Sequence, residues 1–245
     1  MQKLYSKVRK ALSDFHMIQP GDRICVGVSG GKDSLALLAA LAGLRRFYPV
    51  PYELYAVTLD LGLEQMDFTP LRDWCARLDV PYTIKKTNIK EVVFDLRKES
   101  NPCSLCAKLR RGSLHDAARD LGCNVVALGH HRDDVIETFL LSLLYEGRIS
   151  CFEPVTYLSR KGLRMIRPLL YEKEGNIKGL ARREGFPVVK STCPADRNSK
   201  RYEMKAYIQR MEEEFPGFRS RTFGAVKRGL FEAGTNGQPG GKTEE

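Results

Sequence analysis

Two cysteines and a basic cluster stand side by side in the stretch NPCSLCAKLRRGSL. Cys103 and Cys106 are three residues apart, a spacing that brings their side chains to one face if the stretch is helical. Such a pair can serve a zinc site, a redox dithiol or an iron–sulfur cluster. Lys108, Arg110 and Arg111 follow at once, and they predict either a surface that attracts a polyanion or a solvated helix face.

The remaining cysteines bear on which of these sites is formed. The chain has seven cysteines, and a zinc site ordinarily needs a second close pair of cysteines or histidines, which the sequence lacks. Four isolated cysteines are predicted to be small buried side chains: Cys25, Cys75, Cys123 and Cys151. Cys193 lies instead in the polar turn STCPADR. Together with Cys103 and Cys106 it suits a [4Fe-4S] cluster that keeps its fourth iron open to a small ligand.

A second constellation is a phosphate loop, SGGKDS, which closes a β-rich run. It consists of Ser29, Gly30, Gly31, Lys32, Asp33 and Ser34. Its spacing matches neither the Walker pattern nor the dinucleotide pattern. The two glycines let the backbone approach an anion, the serines offer hydroxyls, and the first amides of the next helix favour negative charge. The alternative is an ordinary serine-capped turn, but such a turn does not need two glycines, a lysine and two serines together.

The stretch LGHHRDDVIET places His130, His131, Asp133 and Asp134 after a later strand. Parallel α/β sheets bind ligands at the carboxyl edge of their strands, so these side chains should meet the phosphate loop. Carboxylates there can hold Mg²⁺ against phosphates or position a proton. The alternative is that the aspartates only stabilise the start of a helix. Asp60, which ends an earlier strand, is a weaker candidate for the nucleotide pocket.

Strand and helix patterns alternate along the chain after an amphipathic helix at residues 2–15. Strands are predicted at 23–28, 52–60, 80–86 and 124–129, and helices at 35–47, 67–78, 104–121 and 132–144. Later segments predict a helix at 173–184, a short strand at 186–190 and a last helix up to 214. This alternation predicts an α/β fold with a doubly wound, mostly parallel sheet of Rossmann-like type, an N-terminal helix and a helical C-terminal extension.

We predict one domain over residues 1–217, with residues 218–245 as a basic C-terminal tail whose last residues are disordered. The net charge of +10 is expected for a protein that binds nucleic acid, although a merely soluble basic surface is the alternative. No apolar run is long enough to span a membrane, and the start of the chain lacks the apolar core of a signal peptide. We therefore expect a cytoplasmic protein without disulfides.

Taken together, SGGKDS, PCSLCAKLRRG, ALGHHRDDVIET, IRPLLYEKEGNI and the later Cys193 resemble the TtcA family of tRNA 2-thiocytidine synthetases. This family belongs to the PP-loop superfamily of N-type ATP pyrophosphatases, and the shared landmarks run from about residue 21 to Gly217. The resemblance implies an ATP-dependent tRNA sulfurtransferase. Such an enzyme adenylates O2 of an anticodon-loop cytidine, at position 32, and replaces that oxygen with sulfur delivered through a [4Fe-4S] cluster. It releases AMP and pyrophosphate.

The resemblance also implies ligands and partners. ATP is expected on the phosphate loop with Asp60 and His130, Mg²⁺ against its phosphates, and the cluster on the three cysteines. Lys32, Asp133 and Asp134 are expected to be catalytic. The expected partners are tRNA, a cysteine desulfurase or another sulfur donor, and a second copy of the chain, with no membrane. RNA contacts are expected from basic residues: Lys108, Arg110, Arg111, Arg197, Lys200 and Arg201.

Several other functions stay open at this point. One is an iron–sulfur PP-loop enzyme that thiolates a tRNA uridine or handles sulfur on a small molecule. Another is a zinc-bearing RNA-binding module without catalysis, although the phosphate loop argues against it. A lysidine-type ligase is a third, but its chemistry has no use for three cluster thiols.

Overall fold

Six strands within the described residues form one sheet in the computed structural model, which describes residues 1–62, 66–97, 102–189 and 200–233. The strands are β1 (Asp22–Gly27), β2 (Tyr52–Asp60), β3 (Tyr82–Lys86), β4 (Val125–Ala127), β5 (Val155–Leu158) and β6 (Leu163–Ile166). Their order across the sheet is β3-β2-β1-β4-β6-β5. Every neighbouring pair is parallel except β5 and β6, which confirms the mostly parallel sheet.

The described residues form eight α-helices around this sheet. They are α1 (Gln2–Asp14), α2 (Lys32–Leu44), α3 (Thr69–Arg77), α4 (Pro102–Asp120), α5 (Arg132–Glu146), α6 (Glu174–Arg183), α7 (Lys200–Glu214) and α8 (Phe218–Val226). Two π-helical turns, Glu91–Leu96 and Lys227–Glu232, and one 3₁₀ turn, Ser159–Lys161, complete the regular structure of these ranges. Among the described helices, none is both long enough and apolar enough to cross a bilayer.

The sheet divides the core into two layers, as β1 shows. Ile24 and Val26 point to one face and Cys25 to the other, because side chains alternate along a strand, and all three are fully buried. Helix α4 covers the Cys25 face with Leu114 and Ala118. The other face is covered by residues of α1, α2, α3, α5, α6, α7 and α8. Helices on both faces confirm the doubly wound arrangement.

The layer on the Ile24 face is the thicker of the two, because seven helices contribute to it. Helix α2 lies inside this thicker layer, in contact with the sheet, α1 and α6. Leu35, Leu37, Leu38 and Leu41 are all completely buried, so the helix is apolar on nearly every side. Complete burial of one such side chain stabilises the fold by ~1.5–3 kcal/mol. Helix α2 begins at Lys32, so the C-terminal end of the phosphate loop is part of a helix that is anchored in the core.

The strand order creates a crevice beside β1. Strands β2 and β4 flank β1 on opposite sides. After β1 the chain adds β2 and β3 on one side of it, and then crosses to the other side, where β4 pairs with β1. Open α/β sheets bind ligands at such a switch point, outside the carboxyl ends of the strands. The phosphate loop follows β1 and the two histidines follow β4, as predicted.

Two features of the second half differ from the prediction. Residues Phe186–Val189, the described part of the strand predicted at 186–190, are not a strand, although the Val189 amide donates to the Gly30 carbonyl at 3.0 Å. The sheet instead gains β5 and β6, which pair with each other through a tight turn that ends at Gly162 in the left-handed region. A strand of four residues at the sheet edge depends on its partner, which local sequence does not reveal.

Residues 218–232 of the predicted C-terminal tail are helical. Phe223 and Phe231 are buried in the main core, and the Phe231 ring meets Phe15 of the chain's start edge-on at 6.0 Å. The domain boundary after Gly217 stays a prediction. Residues 234–245, predicted to be disordered, lie outside the described residues.

Candidate active site

The phosphate loop is held in shape by its own hydroxyl groups. The Ser34 hydroxyl donates to the Gly31 carbonyl at 2.9 Å and accepts from the Ser29 amide at 3.2 Å. Gly30 has φ of +80°, in the left-handed region that favours glycine. The loop therefore turns directly from β1 into α2, whose first amides have no partner within the helix and can bind an anion.

The end of β4 packs closely on this loop at Gly129. A Cβ there would lie 3.1 Å from the carbonyl carbon of Asp33 and 3.2 Å from the Ser34 nitrogen. These are backbone atoms, which cannot rotate aside as a side chain can. Only glycine therefore lets the segment with the two histidines approach the phosphate loop this closely.

A cleft of about 590 Å³ lies between the phosphate loop and α4. The loop contributes Ser29, Gly31, Asp33 and Ser34 to its lining. One face of α4 contributes Cys106, Ala107, Arg110, Arg111, Leu114 and His115. A predicted cluster ligand, part of the predicted RNA-binding cluster and the predicted phosphate site thus border one volume.

Another part of the lining is apolar. It comes from the segments after β2 and β3 and includes Leu61, Met66, Phe68, Ile89 and Phe94. Aromatic and aliphatic side chains of this kind suit the flat face of a nucleobase, whereas the loop suits phosphates. These residues could not be predicted from the sequence, because isolated apolar side chains between elements carry no chemical motif.

The described cysteines differ in how far their thiols are exposed to solvent. Cys103 is exposed and Cys106 is partly exposed, one helical turn apart at the start of α4. Cys25, Cys75 and Cys123 are buried, as predicted, and Cys151 is partly buried with its Sγ 3.6 Å from the Val135 carbonyl. Cys193 and Arg197 lie outside the described residues. The two accessible thiols on one helix turn fit a cluster with cysteine ligands.

His131 joins the loop to the start of α5. Its side chain accepts a hydrogen bond from the Asp134 amide at 3.3 Å, and the Asp134 carboxylate accepts one from the His131 amide at 2.9 Å, a reciprocal capping box. His131 Nε2 lies 3.7 Å from Asp33 Oδ1. That oxygen is buried and has no hydrogen-bond partner among the described residues, which makes it available to a bound ligand.

Three predicted carboxylates lie outside the cleft lining. Asp133 accepts from the Glu174 amide and from Arg219, each at 2.8 Å. The second oxygen of Asp134 accepts from Arg201 at 3.1 Å. Asp60 accepts from the amide of Gly62 at 3.0 Å, beside the cleft residues Leu59 and Leu61. These contacts position helices and a loop, and the catalytic roles of the aspartates stay predictions.

Lys32 belongs to a chain of ion pairs that the sequence analysis missed. Its Nζ lies 3.0 Å from Glu174 of α6, which in turn pairs with Lys205 of α7 at 3.2 Å. Burial alone would raise the pKa of Glu174, but the two lysines outweigh it and lower the value to about 2. Lys205 and Arg201 also flank Glu137, at 3.7 and 3.5 Å. The acidic start of the predicted helix in YEKEGNI was the only sequence signal for Glu174.

His115 and His130 line the cleft as neutral imidazoles. Burial, more than any neighbouring charge, lowers the pKa of each to about 4. The His130 ring stacks on Phe152 with 4.8 Å between centroids, and His115 Nε2 lies 3.3 Å from the sulfur of Met165. Uncharged rings in these positions can exchange hydrogen bonds with a ligand without adding positive charge.

The predicted RNA-binding residues divide into two groups. Arg110 and Arg111 line the cleft, and Lys108 is exposed on the same helix. Lys200 pairs with Glu203 at 3.0 Å, and Arg201 is engaged with α5. Of the described residues, the structure therefore brings Arg110 and Arg111, and not Lys200 or Arg201, to the lining of the cleft beside the phosphate loop.

Known proteins resemble the chain over most of its length. The PP-loop domain family matches residues 2–210. A tRNA-cytidine(32) 2-sulfurtransferase of Pelobacter propionicus is 40% identical over 228 residues, which span 92% of this chain and 85% of that protein. Its counterpart in Geobacter sulfurreducens is 39% identical over 241 residues, spanning 97% of this chain and 91% of the relative.

A solved structure resembles the fold closely. The U34-tRNA thiolase NcsA from Methanococcus maripaludis, determined with its [4Fe-4S] cluster, aligns with a TM-score of 0.75 and 25% sequence identity. The alignment covers 94% of this chain and 78% of NcsA. A glycine-rich phosphate loop at the switch point of a doubly wound sheet, matched over this length, defines a PP-loop protein. Within that class, the chain belongs to the family of the tRNA-cytidine(32) 2-sulfurtransferases, which confirms the family resemblance of its motifs.

Proposed function

We propose that this protein is an ATP-dependent tRNA thiolase that converts cytidine 32 of the anticodon loop to 2-thiocytidine. One observation carries the proposal: the phosphate loop and Cys106 line the same cleft, together with Arg110 and Arg111. Activation by ATP and delivery of sulfur therefore have their residues around one volume. The family relationship supports the same reaction.

The first step is adenylation. O2 of the cytidine attacks the α-phosphorus of ATP, forming an O–P bond, and the bond to the bridging oxygen breaks so that pyrophosphate leaves with the electron pair. The loop amides, the hydroxyls of Ser29 and Ser34 and the Lys32 ammonium would stabilise the charge on pyrophosphate. A poor leaving oxygen on the base thereby becomes the oxygen of AMP.

Asp33 is the residue best placed to hold Mg²⁺ with the phosphates. Its Oδ1 is buried without a hydrogen-bond partner among the described residues, and hard oxygen ligands suit this ion. Both oxygens of Asp133, by contrast, already accept hydrogen bonds from protein groups. We therefore favour Asp33 over Asp133 as a metal ligand and assign Asp133 to positioning.

Cys103 and Cys106, with Cys193, would hold a [4Fe-4S] cluster. Bound there, the cluster would present, on its open iron, sulfide derived from the sulfur donor, and this sulfur would replace the adenylated oxygen of the base, which leaves as part of AMP. The two described cysteines fit because they are accessible thiols on one turn of α4, and one of them lines the cleft. NcsA, the structurally similar thiolase, was determined with such a cluster.

The base must leave its stack to enter the cleft. Unstacking costs a few kcal/mol and costs least in a single-stranded loop, so an anticodon-loop cytidine suits the site. Arg110 and Arg111 line the cleft and can pair with the neighbouring phosphates of the RNA. The sulfur donor and a second copy of the chain are further partners that we propose from the family resemblance.

Replacing Cys106 with Ala separates the two halves of the reaction. We expect 2-thiocytidine formation to fall by at least about 100-fold, because the sulfur source loses a ligand, while ATP binding stays within about twofold of wild type. The assay is mass spectrometry of nucleosides from tRNA treated with anaerobically reconstituted enzyme, together with nucleotide binding. Cys103→Ala should behave in the same way.

Cys151→Ser is the matched control, because this cysteine is partly buried against α5 and outside the cleft lining. It should retain thiolation. Retained thiolation in Cys106→Ala would rule out the cluster ligand. Formation of 2-thiouridine instead of 2-thiocytidine by the wild-type enzyme would favour the uridine alternative, the class of base on which NcsA acts.

A further inference from the structure

Two carboxylates hold the lysine of the phosphate loop. The Nζ of Lys32 lies 3.0 Å from Oδ2 of Asp33 and 3.0 Å from Oε1 of Glu174. Glu174 is the first residue of α6, so this second contact ties the loop to a helix that is 142 residues away in sequence. Two carboxylates therefore compete with a bound phosphate for this lysine.

Glu174 has a second cationic partner on another helix. Lys205 of α7 places its Nζ 3.2 Å from Oε2 of Glu174, and 3.7 Å from Oε1 of Glu137, whose side chain is 2% exposed. The Glu174 amide is also fixed, because it donates to Asp133 at 2.8 Å. One carboxylate thus lies between the phosphate loop and α7.

A bound triphosphate would change this pairing in a defined direction. It brings several negative charges to the loop, and the single charge of Lys32 cannot neutralise them while it also pairs with Glu174. Once Lys32 turns to the phosphates, Glu174 retains Lys205 as its cation. Glu174 then pairs with Lys205 and no longer with Lys32, so the ion pair that joins α6 to α7 strengthens.

We propose that Glu174 is a positioning residue that holds Lys32 at the loop in the ATP-free enzyme and passes its charge pairing to Lys205 when ATP binds. ATP binding is thereby coupled to the packing of α7. The inference rests on the proposed function in one respect, namely that the loop binds the phosphates of ATP.

The test compares Glu174→Gln with a control, Glu184→Gln, at the far end of α6. Among the ion pairs of the described residues, the Glu184 carboxylate contacts only the amino terminus of the chain, at 3.5 Å. Hydrogen exchange of residues 200–214 is measured with and without α,β-methylene-ATP, and kcat and KM for ATP are determined. In the wild type we expect the nucleotide to slow exchange in α7 at least about twofold. In Glu174→Gln we expect that response to vanish.

The kinetic constants should split in the same variant. Without the competing carboxylate, Lys32 is freer to bind phosphate, so KM for ATP should fall about two- to fivefold. Because Lys32 is then less well oriented, kcat should fall as well. A merely structural role would instead leave KM for ATP unchanged or raise it. Glu184→Gln should match the wild type in every measurement.

Three results would contradict either this inference or the proposed function, and they can be distinguished from one another. A Glu174→Gln enzyme with the wild-type kinetic constants and the wild-type response of α7 overturns this inference. A wild-type enzyme that binds the nucleotide without any change in α7 also overturns it, and leaves the proposed function standing. A wild-type enzyme that does not bind the nucleotide overturns the proposed function. Should Glu174→Gln fail to fold, Lys205→Gln must abolish the α7 response without lowering KM for ATP, because Glu174 then keeps Lys32 as its partner.

Discussion

At Gly129 the segment that follows β4 packs directly on the backbone of the phosphate loop. In Gly129→Ala the new methyl group would lie 3.1 Å from the carbonyl carbon of Asp33, so the loop backbone must shift. A displaced loop no longer presents its amides correctly, and we expect KM for ATP to rise about tenfold or more. Stability should fall by only about 1–3 kcal/mol, the usual cost of overpacking.

Steady-state kinetics and urea denaturation measure these two effects of Gly129→Ala. Gly229→Ala is the control, because a Cβ at that helical position meets nothing within 4 Å. An unchanged KM for ATP in Gly129→Ala would show that the loop tolerates the shift.

Single residues also show how far the sequence predicts the site. The spacing of Cys103 and Cys106 predicts a shared helix face, and both lie on the first turns of α4. The pairing of Lys32 with Glu174 could not be predicted, because it joins segments that are 142 residues apart. Local spacing encodes neighbours on one element, whereas contacts between elements depend on how the helices pack.

At the scale of elements, one carboxylate holds the start of α5 against two other helices. Asp133 is 8% exposed, accepts from the first amide of α6 and pairs with Arg219 of α8 at 2.8 Å. In Asp133→Asn the arginine loses its charged partner within a partly buried site. We expect the free energy of unfolding to fall by about 1–3 kcal/mol, measured by urea denaturation.

The control for Asp133→Asn is Asp116→Asn, whose partner Lys161 lies 3.1 Å away on an exposed surface. Such surface pairs contribute about 0–1 kcal/mol. If Asp133 is instead catalytic, as the sequence predicted, Asp133→Asn would keep wild-type stability and lose thiolation.

Elements differ in how well the sequence predicts them. Strand β2 has the predicted bounds, because its run of β-branched and aromatic residues ends at Asp60. Strands β5 and β6 were missed, and the strand expected from Phe186 onward is not formed in its described part. Both failures concern short segments whose pairing is decided by neighbours in space rather than by their own residues.

At the scale of the whole molecule, the sheet topology was the most predictable feature and the packing of the helices the least. Alternating strands and helices permit few arrangements, and the ligand edge follows from the direction of the parallel strands. The four helices α5, α6, α7 and α8 follow no such rule. Their arrangement depends on ion pairs across the thicker layer, where Glu137 is almost completely buried.

The buried Glu137 makes the stability of the molecule depend on pH in a predictable direction. Burial raises its pKa from 4.5 to about 7, because the attraction of Lys205 only partly offsets desolvation. Between these values the folded protein keeps a proton that the unfolded chain has released, so the contribution of Glu137 to stability falls as pH rises from about 4.5 to 7, by up to about 3 kcal/mol. Glu174 has the opposite shift, and its contribution is lost only below pH 4.5, as pH falls towards about 2. Burial lowers the pKa of His115 and His130 from 6.5 to about 4, which makes stability rise with pH in this range, so the contribution of Glu137 is measured as a difference between two proteins. Urea denaturation from pH 5 to 8 should therefore show that the free energy of unfolding of the wild type, relative to that of Glu137→Gln, falls as pH rises to about 7. Glu146→Gln, at an exposed site on the same helix, should keep the pH profile of the wild type, and a Glu137→Gln protein with that same profile would assign the effect to another group.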